Sequence, residues 1–259
     1  MTSSSSDSPE YLAKKKFFQR MLTVFGRNPV LEALLASHVK PYRLHLAHSN
    51  KPAPVLQDIE RIAREKGAEV LYHDRQSLSR ISKNARQDQG VALDVECEGF
   101  STAHDFLGAA PPHYDLLALD RVTNPQNLGM IIRSVCASPM TGLILPDKGS
   151  AKLDSLVIKA SAGTLFKARI LRCQNLATCL ADFRKTGTEI YGMDARGRVR
   201  LKDVRTPAAR IFVMGNESEG LSSEVASQCN HMLAIPMENG VESLNVSIAA
   251  SLIAFRMMF

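Results

Sequence analysis

Apolar residues fall along this chain in short unbroken runs, separated by longer stretches in which they recur every three or four positions. That is the alternation of buried strands with amphipathic helices. Early in the chain the pattern predicts helix 29–37, strand 43–47, helix 55–66, strand 69–71, helix 75–81 and strand 91–95, with Gly67 ending the second helix. Together these make a small α/β sandwich. Periodicity is lost over 98–113, where Gly99, Gly108 and Pro111-Pro112 suit a linker. Beyond it, apolar runs at 115–120, 141–146, 167–172, 189–194, 210–215 and 231–237 alternate with helical patterns at 128–137, 153–160, 176–186, 222–228 and 244–258. Strand and helix in turn predict a mainly parallel sheet covered on both faces. Residues 1–20, with a Ser run and Lys14-Lys15-Lys16, lack the apolar surface to fold alone and are expected to be an unstructured tail. The expected plan is tail 1–20, first α/β domain 21–97, linker 98–113 and larger domain 114–259.

In open α/β sheets, ligands bind beyond the carboxyl ends of the strands, so the polar loops that follow apolar runs are the candidates for a site. Three stand out. The first, Asp120 to Arg133, follows Leu116–Leu119; Asn124-Pro125 disfavours helix there, and a helix is expected to begin near Asn127 and Gly129. The second is Gly-Asn-Glu-Ser-Glu-Gly, Gly215 to Gly220, and the third runs from Pro236 to Ser247. In this order they resemble the three motifs of the SpoU-type (TrmH-like) RNA ribose methyltransferases of the SPOUT superfamily. The resemblance is carried by Asn127, Gly129 and Arg133, by Gly215, Glu217 and Gly220, and by Ile235-Pro236-Met237 with Ser243-Leu244-Asn245-Val246-Ser247. Val24 to Leu34 and Gln89-Gly90-Val91 are similar to the two ends of the family's substrate-binding domain, so the likeness extends over nearly everything after residue 20.

The resemblance implies a knotted (trefoil) methyltransferase domain, its knot between Arg210 and Phe259, preceded by a small α/β RNA-binding domain. Nothing in the periodicity reveals the knot. It also implies a homodimer, S-adenosyl-L-methionine as cofactor, and methyl transfer to a ribose 2'-hydroxyl. In that chemistry Arg133 binds phosphate and stabilises developing negative charge; a guanidinium gives up its proton too reluctantly to serve as base. Asn127 bonds Arg133 or the ribose, and Glu217 orients an arginine or its own loop, with Glu219 the weaker choice. Ser243 and Asn245 lie near the methyl acceptor, one of them capping the last helix. Gly215, Asn216, Ile235, Leu244 and Met237 surround the cofactor, and Met193 adds to its wall. The chain departs from the family after Arg133, at Val135-Cys136-Ala137-Ser138-Pro139-Met140, where Pro139 should stop the helix early.

Composition adds limits. Lys and Arg total 32 against 26 Asp and Glu, a net charge of +6, which suits a polyanionic partner such as RNA. Arg27, Arg43, Lys83 and Arg86 are the basic residues placed to meet it. The five cysteines are scattered without a C-x-x-C pair, so reduced thiols are expected and neither a disulfide framework nor a metal site. No apolar run approaches the roughly 20 residues of a membrane span, and the amino terminus lacks a hydrophobic signal segment; a cytoplasmic protein is expected. With no G-x-G-x-x-G after a strand and no phosphate-loop motif, a dinucleotide enzyme or NTPase is disfavoured. The expected function is 2'-O-methylation of structured RNA, with a guanosine of large-subunit ribosomal RNA as target. The alternatives are an inactive RNA-binding assembly factor on the same fold, or a transfer-RNA 2'-O-methyltransferase.

Overall fold

The computed structural model describes residues 8–37, 39–84, 87–204 and 208–258. Residues 1–7 of the expected tail, Arg86, Phe259 and the side chains of Lys15 and Lys16 lie outside the described residues. The chain divides into two compact units, Met1–Ser101 and Thr102–Phe259.

The first unit begins with helix α1 (Pro9–Gln19), where an unstructured tail was expected. Its anchor is Phe17, whose ring meets Tyr42 edge-on at 5.0 Å and supplies the apolar contact that the lysine run lacks. Then follow β1 (Met21–Phe25), α2 (Arg27–Leu35), β2 (Lys40–Ala47), α3 (Pro54–Glu65), β3 (Glu69–His73), α4 (Arg75–Ser82) and β4 (Val91–Glu96). The sheet order is β1-β4-β2-β3, with β4 antiparallel to β1 and β2, and β2 parallel to β3. Register places Val24 and Leu44 opposite Leu93, all buried, on one face. Side chains alternate along a strand, so the other face carries Ala47 and Ala92 against Leu78 of α4. That face also holds a polar chain. Thr23 Oγ1 donates to Asp94 Oδ1 at 2.6 Å, Asp94 Oδ2 meets His45 Nε2 at 3.0 Å, and His45 Nδ1 meets His73 Nε2 at 2.9 Å. Burial pushes the Asp94 carboxyl up, but the bonds from His45 and Thr23 outweigh it and hold the group below its ordinary range.

The segment expected to be a linker is ordered: β5 (Phe100–Thr102), at the boundary of the units, leads into α5 (Ala103–Gly108). Thr102 caps this helix by accepting from Asp105 N at 3.0 Å, and Phe106 packs edge-on against Tyr114 at 5.3 Å. The stretch is too short for its periodicity to show. The rest is β6 (Tyr114–Leu119), α6 (Pro125–Cys136), β7 (Gly142–Pro146), α7 (Ser155–Ala160), β8 (Ile170–Cys173), α8 (Leu176–Lys185), β9 (Glu189–Met193), β10 (Val199–Arg200), β11 (Ala209–Met214), α9 (Ser223–Ala226), β12 (His231–Ala234) and α10 (Val246–Phe255). Strand order is β10-β12-β9-β11-β6-β7-β8-β5, and every pair from β10 to β8 is parallel. The mainly parallel sheet of the sequence reading is therefore present. Leu116–Leu119 and Ile211–Val213, in its two central strands, are buried without interruption, as strands covered on both faces must be.

At the amino ends of those strands the core turns ionic. Asp115 of β6 lies in register with Arg210 of β11, its Oδ1 3.4 Å from Arg210 Nε, while Arg256 Nη2 approaches Asp115 Oδ2 at 2.6 Å. Both arginine side chains are only 3% exposed, and the Arg256 guanidinium sits 4.3 Å over the Phe212 ring. The last helix is thus tethered at its carboxyl end to the amino edge of the central strands. Its ten residues span about 15 Å, so its amino end lies toward the opposite edge, where the polar loops are.

Candidate active site

The first loop delivers α6. Asn124 is extended (φ −77°, ψ 117°), as a residue before proline prefers, and its side chain accepts from the backbone N–H of Gln126 at 2.9 Å and Asn127 at 3.4 Å. Pro125 then takes the first helical position, where its missing N–H costs nothing. So Asn124-Pro125 starts the helix rather than delaying it to Asn127 and Gly129. Gly129 lies one turn inside, where a Cβ would stand 2.4 Å from Ala160 Cβ and 2.9 Å from Val157 O; only glycine lets α6 and α7 approach this closely. The helix stops at Cys136, just before Pro139, as expected.

The second loop folds back on itself. Asn216 N donates to Gly220 O at 3.0 Å and Gly220 N to Asn216 O at 2.9 Å, and a Cβ on Gly215 would stand 2.3 Å from the Gly220 carbonyl carbon. The Asn216 side chain is consumed within this turn: Oδ1 accepts from Ser218 N and Glu219 N, and Nδ2 donates to Arg121 O at 3.0 Å. Side chain and main chain of Asn216 are thus both engaged in holding the turn. Glu217 stands out from the turn and accepts from Asn127 Nδ2 at 2.6 Å. Asn127 Oδ1 in turn accepts from Asn245 Nδ2 at 3.1 Å, and Asn245 Oδ1 accepts from Ser247 N at 2.8 Å and Ser247 Oγ at 2.6 Å. One chain of hydrogen bonds, Glu217–Asn127–Asn245–Ser247, therefore joins all three loops. A further pair, Ser134 Oγ and Ser251 Oγ at 2.8 Å, ties α6 to α10.

Two expected pairings change. Asn127 bonds Glu217 and Asn245 instead of Arg133, because six residues along a helix turn the side chain by roughly 120° and send the two groups to different sides. Glu217 consequently orients Asn127, while Glu219 is the residue that pairs with an arginine, Arg121. Arg133 is exposed and has no ion pair or side-chain hydrogen bond among the described residues. Asn245 is the cap of α10, which leaves Ser243 exposed in the preceding loop.

Asp120 and Arg121 were not singled out from the sequence. Asp120, 5% exposed, accepts from Ser222 N at 2.6 Å, and Arg121 reaches Glu219 and the Gly220 carbonyl. Together they lock the first loop to the second. Their signal was position: a charged pair immediately after a buried run, at a strand's carboxyl end.

The candidate cofactor residues sit beside this network. Met193 ends β9 in register with Leu233, and Asp194 N donates to Leu233 O at 3.1 Å. In the next loop a Cβ on Gly197 would stand 2.7 Å from Leu233 main chain, so the two backbones nearly touch. Ile235 and Met237 are half-buried and Leu244 is 36% exposed. Because β12, β9 and β11 are neighbours, the loops after them open side by side. Among the described residues no group of three or more His, Cys, Asp or Glu is placed to hold a metal, and no helix is long and apolar enough to cross a membrane. The five cysteines are free; burial pushes the Cys97 thiol up to about 12 and Cys229 to about 11.

Comparison with known proteins agrees with this arrangement. Residues 115–255 match the SpoU rRNA Methylase family, and residues 23–98 match the domain described as RNA 2'-O ribose methyltransferase substrate binding. A protein of Mycobacterium avium described as an uncharacterized tRNA/rRNA methyltransferase is 36% identical over 234 residues, covering 89% of this chain and 75% of that one. Among solved structures, the SpoU methyltransferase AviRb of Streptomyces viridochromogenes in complex with AdoMet has a TM-score of 0.61 at 23% identity, covering 96% of this chain and 91% of that one. The AdoMet-bound rRNA methyltransferase of Sinorhizobium meliloti has a TM-score of 0.60 at 24% identity, covering 96% and 90%. With the three loops joined on a parallel sheet in a unit that follows a separate α/β unit in the chain, and both units matched over most of their length, the chain belongs to the SpoU family of RNA methyltransferases.

Proposed function

We propose that the chain transfers the methyl group of S-adenosylmethionine to a ribose 2'-hydroxyl of RNA, with a guanosine of large-subunit ribosomal RNA as target, and that it does so as a cytoplasmic homodimer. Residues 21–97 hold the RNA and 114–259 carry the site. The observation that carries this reading is the Glu217–Asn127–Asn245 chain, which joins the three loops at the start of α6, the helix that also carries the exposed Arg133 with no ion pair among the described residues. The description of the family matched by residues 23–98 supports the ribose position.

The loops fit the cofactor. Half-buried Ile235 and Met237, with Leu244 and Met193, offer apolar faces to an adenine, and Gly215 packs so closely on the Gly220–Leu221 backbone that no side chain fits there. When bound, the cofactor supplies an electrophilic methyl on a cationic sulfur. A 2'-hydroxyl is a weak acid and a poor nucleophile, so this chain must orient it and stabilise negative charge as its proton leaves. Arg133 offers a planar cation to the adjoining phosphate and to the developing oxyanion. Asn127 and Asn245 hold each other's amides in one orientation, and Ser243 stands at the rim. Asn127→Ala is expected to lower kcat by about 10- to 100-fold through misplacement of this network, with RNA affinity unchanged in a binding titration.

The dimer reading rests on an apolar surface. Met130, Ile248 and Leu252 are 42%, 50% and 44% exposed, and the Ser134–Ser251 bond between α6 and α10 places them around one patch, with Arg133 beside it. An Ile248→Asp, Leu252→Asp protein is expected to run as a monomer by light scattering where the parent is a dimer. We also assign a trefoil knot to 210–259. It is supported by a path in which β12 lies beyond β9 while the helix that follows returns to α6 near the middle of the sheet. Calorimetry with S-adenosylmethionine separates the enzyme from an inactive RNA-binding factor: saturable binding is expected, and no binding is the result for the latter.

A further inference from the structure

The first unit carries a recess that methyl transfer does not use. It is a cavity of about 260 Å³ where the end of β2, the following loop and the start of α3 meet β3, and its rim includes His48, Asn50, Lys51, Gln57, Glu60 and Tyr72. Tyr72 is 47% exposed although it lies on a strand, and its ring stacks on His48 with centroids 5.8 Å apart and planes 23° from parallel. The ring is held there. Its hydroxyl donates to Glu60 Oε1 at 2.8 Å, and the same oxygen accepts from Arg64 Nη2 at 2.7 Å. The bonds from Arg64 and then Tyr72 keep the Glu60 carboxyl below its ordinary range, so the acceptor stays ionised. An aromatic ring held in one position and half exposed offers a flat surface on which another planar group can stack.

The remaining groups say what covers it. Buried Leu56 lies under the recess, and Asn50 is pinned by donating to Gly90 O at 2.8 Å, so the floor is rigid. Gln57 offers an exposed amide, and Lys51 an exposed cation with no ion pair among the described residues. The cavity is smaller than the roughly 300 Å³ at which drug-sized pockets begin, which suits one planar ring system and is too small for a duplex groove or a peptide helix. A stacking face, an amide for hydrogen bonds and a cation for phosphate are together the chemistry that recognises an unpaired nucleotide.

We propose that this recess seats one unstacked base of the RNA substrate on the Tyr72 ring, with Lys51 on its flanking phosphate. The proposal rests on the RNA methyltransferase reading above and adds to it a site in the first unit that selects single-stranded or bulged RNA. The test uses the full chain and a short fluorescein-labelled single-stranded RNA, followed by anisotropy, with the same sequence as a duplex for comparison. Tyr72→Ala is expected to weaken single-strand binding by about 5- to 150-fold, the range for loss of a base–aromatic stack, while Tyr72→Phe stays near the parent and duplex binding does not change. A 2-aminopurine within the single strand should be quenched by the parent and by Tyr72→Phe but not by Tyr72→Ala. Unchanged single-strand affinity in a folded Tyr72→Ala protein would overturn the proposal, as expected if the recess seats a peptide; equal losses for strand and duplex would also overturn it. Calorimetry with S-adenosylmethionine on the same proteins reports separately on the enzymatic reading, and Tyr72→Ala should bind it as the parent does.

Discussion

Arg133→Ala is expected to lower kcat for methyl transfer by about 10²- to 10³-fold, the loss typical of removing one preorganised stabiliser of transition-state charge. The expectation follows from exposure. Arg133 projects from α6 with no ion pair or side-chain hydrogen bond among the described residues, so its charge is free for substrate. Removing it leaves no buried partner orphaned, and the melting temperature should move little. Arg133→Lys keeps the charge but loses the planar fork, and should recover only part of the rate. Initial rates with saturating S-adenosylmethionine and ribosomal RNA, alongside a thermal melt, make the measurement. Near-parental kcat in Arg133→Ala would remove this residue from the site.

Asp115→Ala is expected to destabilise the protein by about 3–5 kcal/mol, because it leaves two guanidiniums buried without a counter-charge. Arg210 and Arg256 are each 3% exposed, and Asp115 is the carboxylate that both approach, at 3.4 and 2.6 Å. Burial weakens the hold of Arg256 on its proton, and Asp115 works against that. Asp115→Asn should fall between parent and alanine, since it keeps an acceptor without the charge. The cluster sits at the amino ends of β6 and β11, away from the loops at their carboxyl ends, so the activity of whatever remains folded should not change. Urea unfolding followed by circular dichroism reads the shift in midpoint. A midpoint within error of the parent would mean that solvent already screens the pair.

Much of this fold was legible because parallel strands buried on both faces leave unbroken apolar runs. Leu116–Leu119 and Ile211–Val213 stood out for that reason, and the polar loops after them marked the candidate site. What escaped has local causes. The two-residue β10, Val199–Arg200, lies between Arg198 and Leu201 and pairs with β12 over too short a stretch for a side-chain pattern to announce it. Helix α1 depends on a contact between Phe17 and Tyr42 that composition cannot show. Asn124-Pro125 was read as a break, yet the same restriction that keeps Asn124 extended makes it a cap and Pro125 a first residue. At the site, the motif identified Asn127, Glu217 and Asn245, but their mutual bonding depends on helix phase and loop reach, neither of which is written in spacing. The Asp115–Arg210–Arg256 cluster joins residues too far apart in sequence for any local rule to pair them.

The most direct measurement asks where the methyl group lands. Purified protein is incubated with radiolabelled S-adenosylmethionine and ribosomal RNA lacking its native methyl groups, and the product is hydrolysed in alkali. A methylated 2'-oxygen cannot attack the neighbouring phosphodiester, so that linkage survives. Label in alkali-stable dinucleotides, accumulating far more slowly in Arg133→Ala and Asn127→Ala at matched early times, is the expected result; label in alkali-labile mononucleotides, or none at all despite cofactor binding, would contradict the assignment of these loops to a ribose methyl-transfer site.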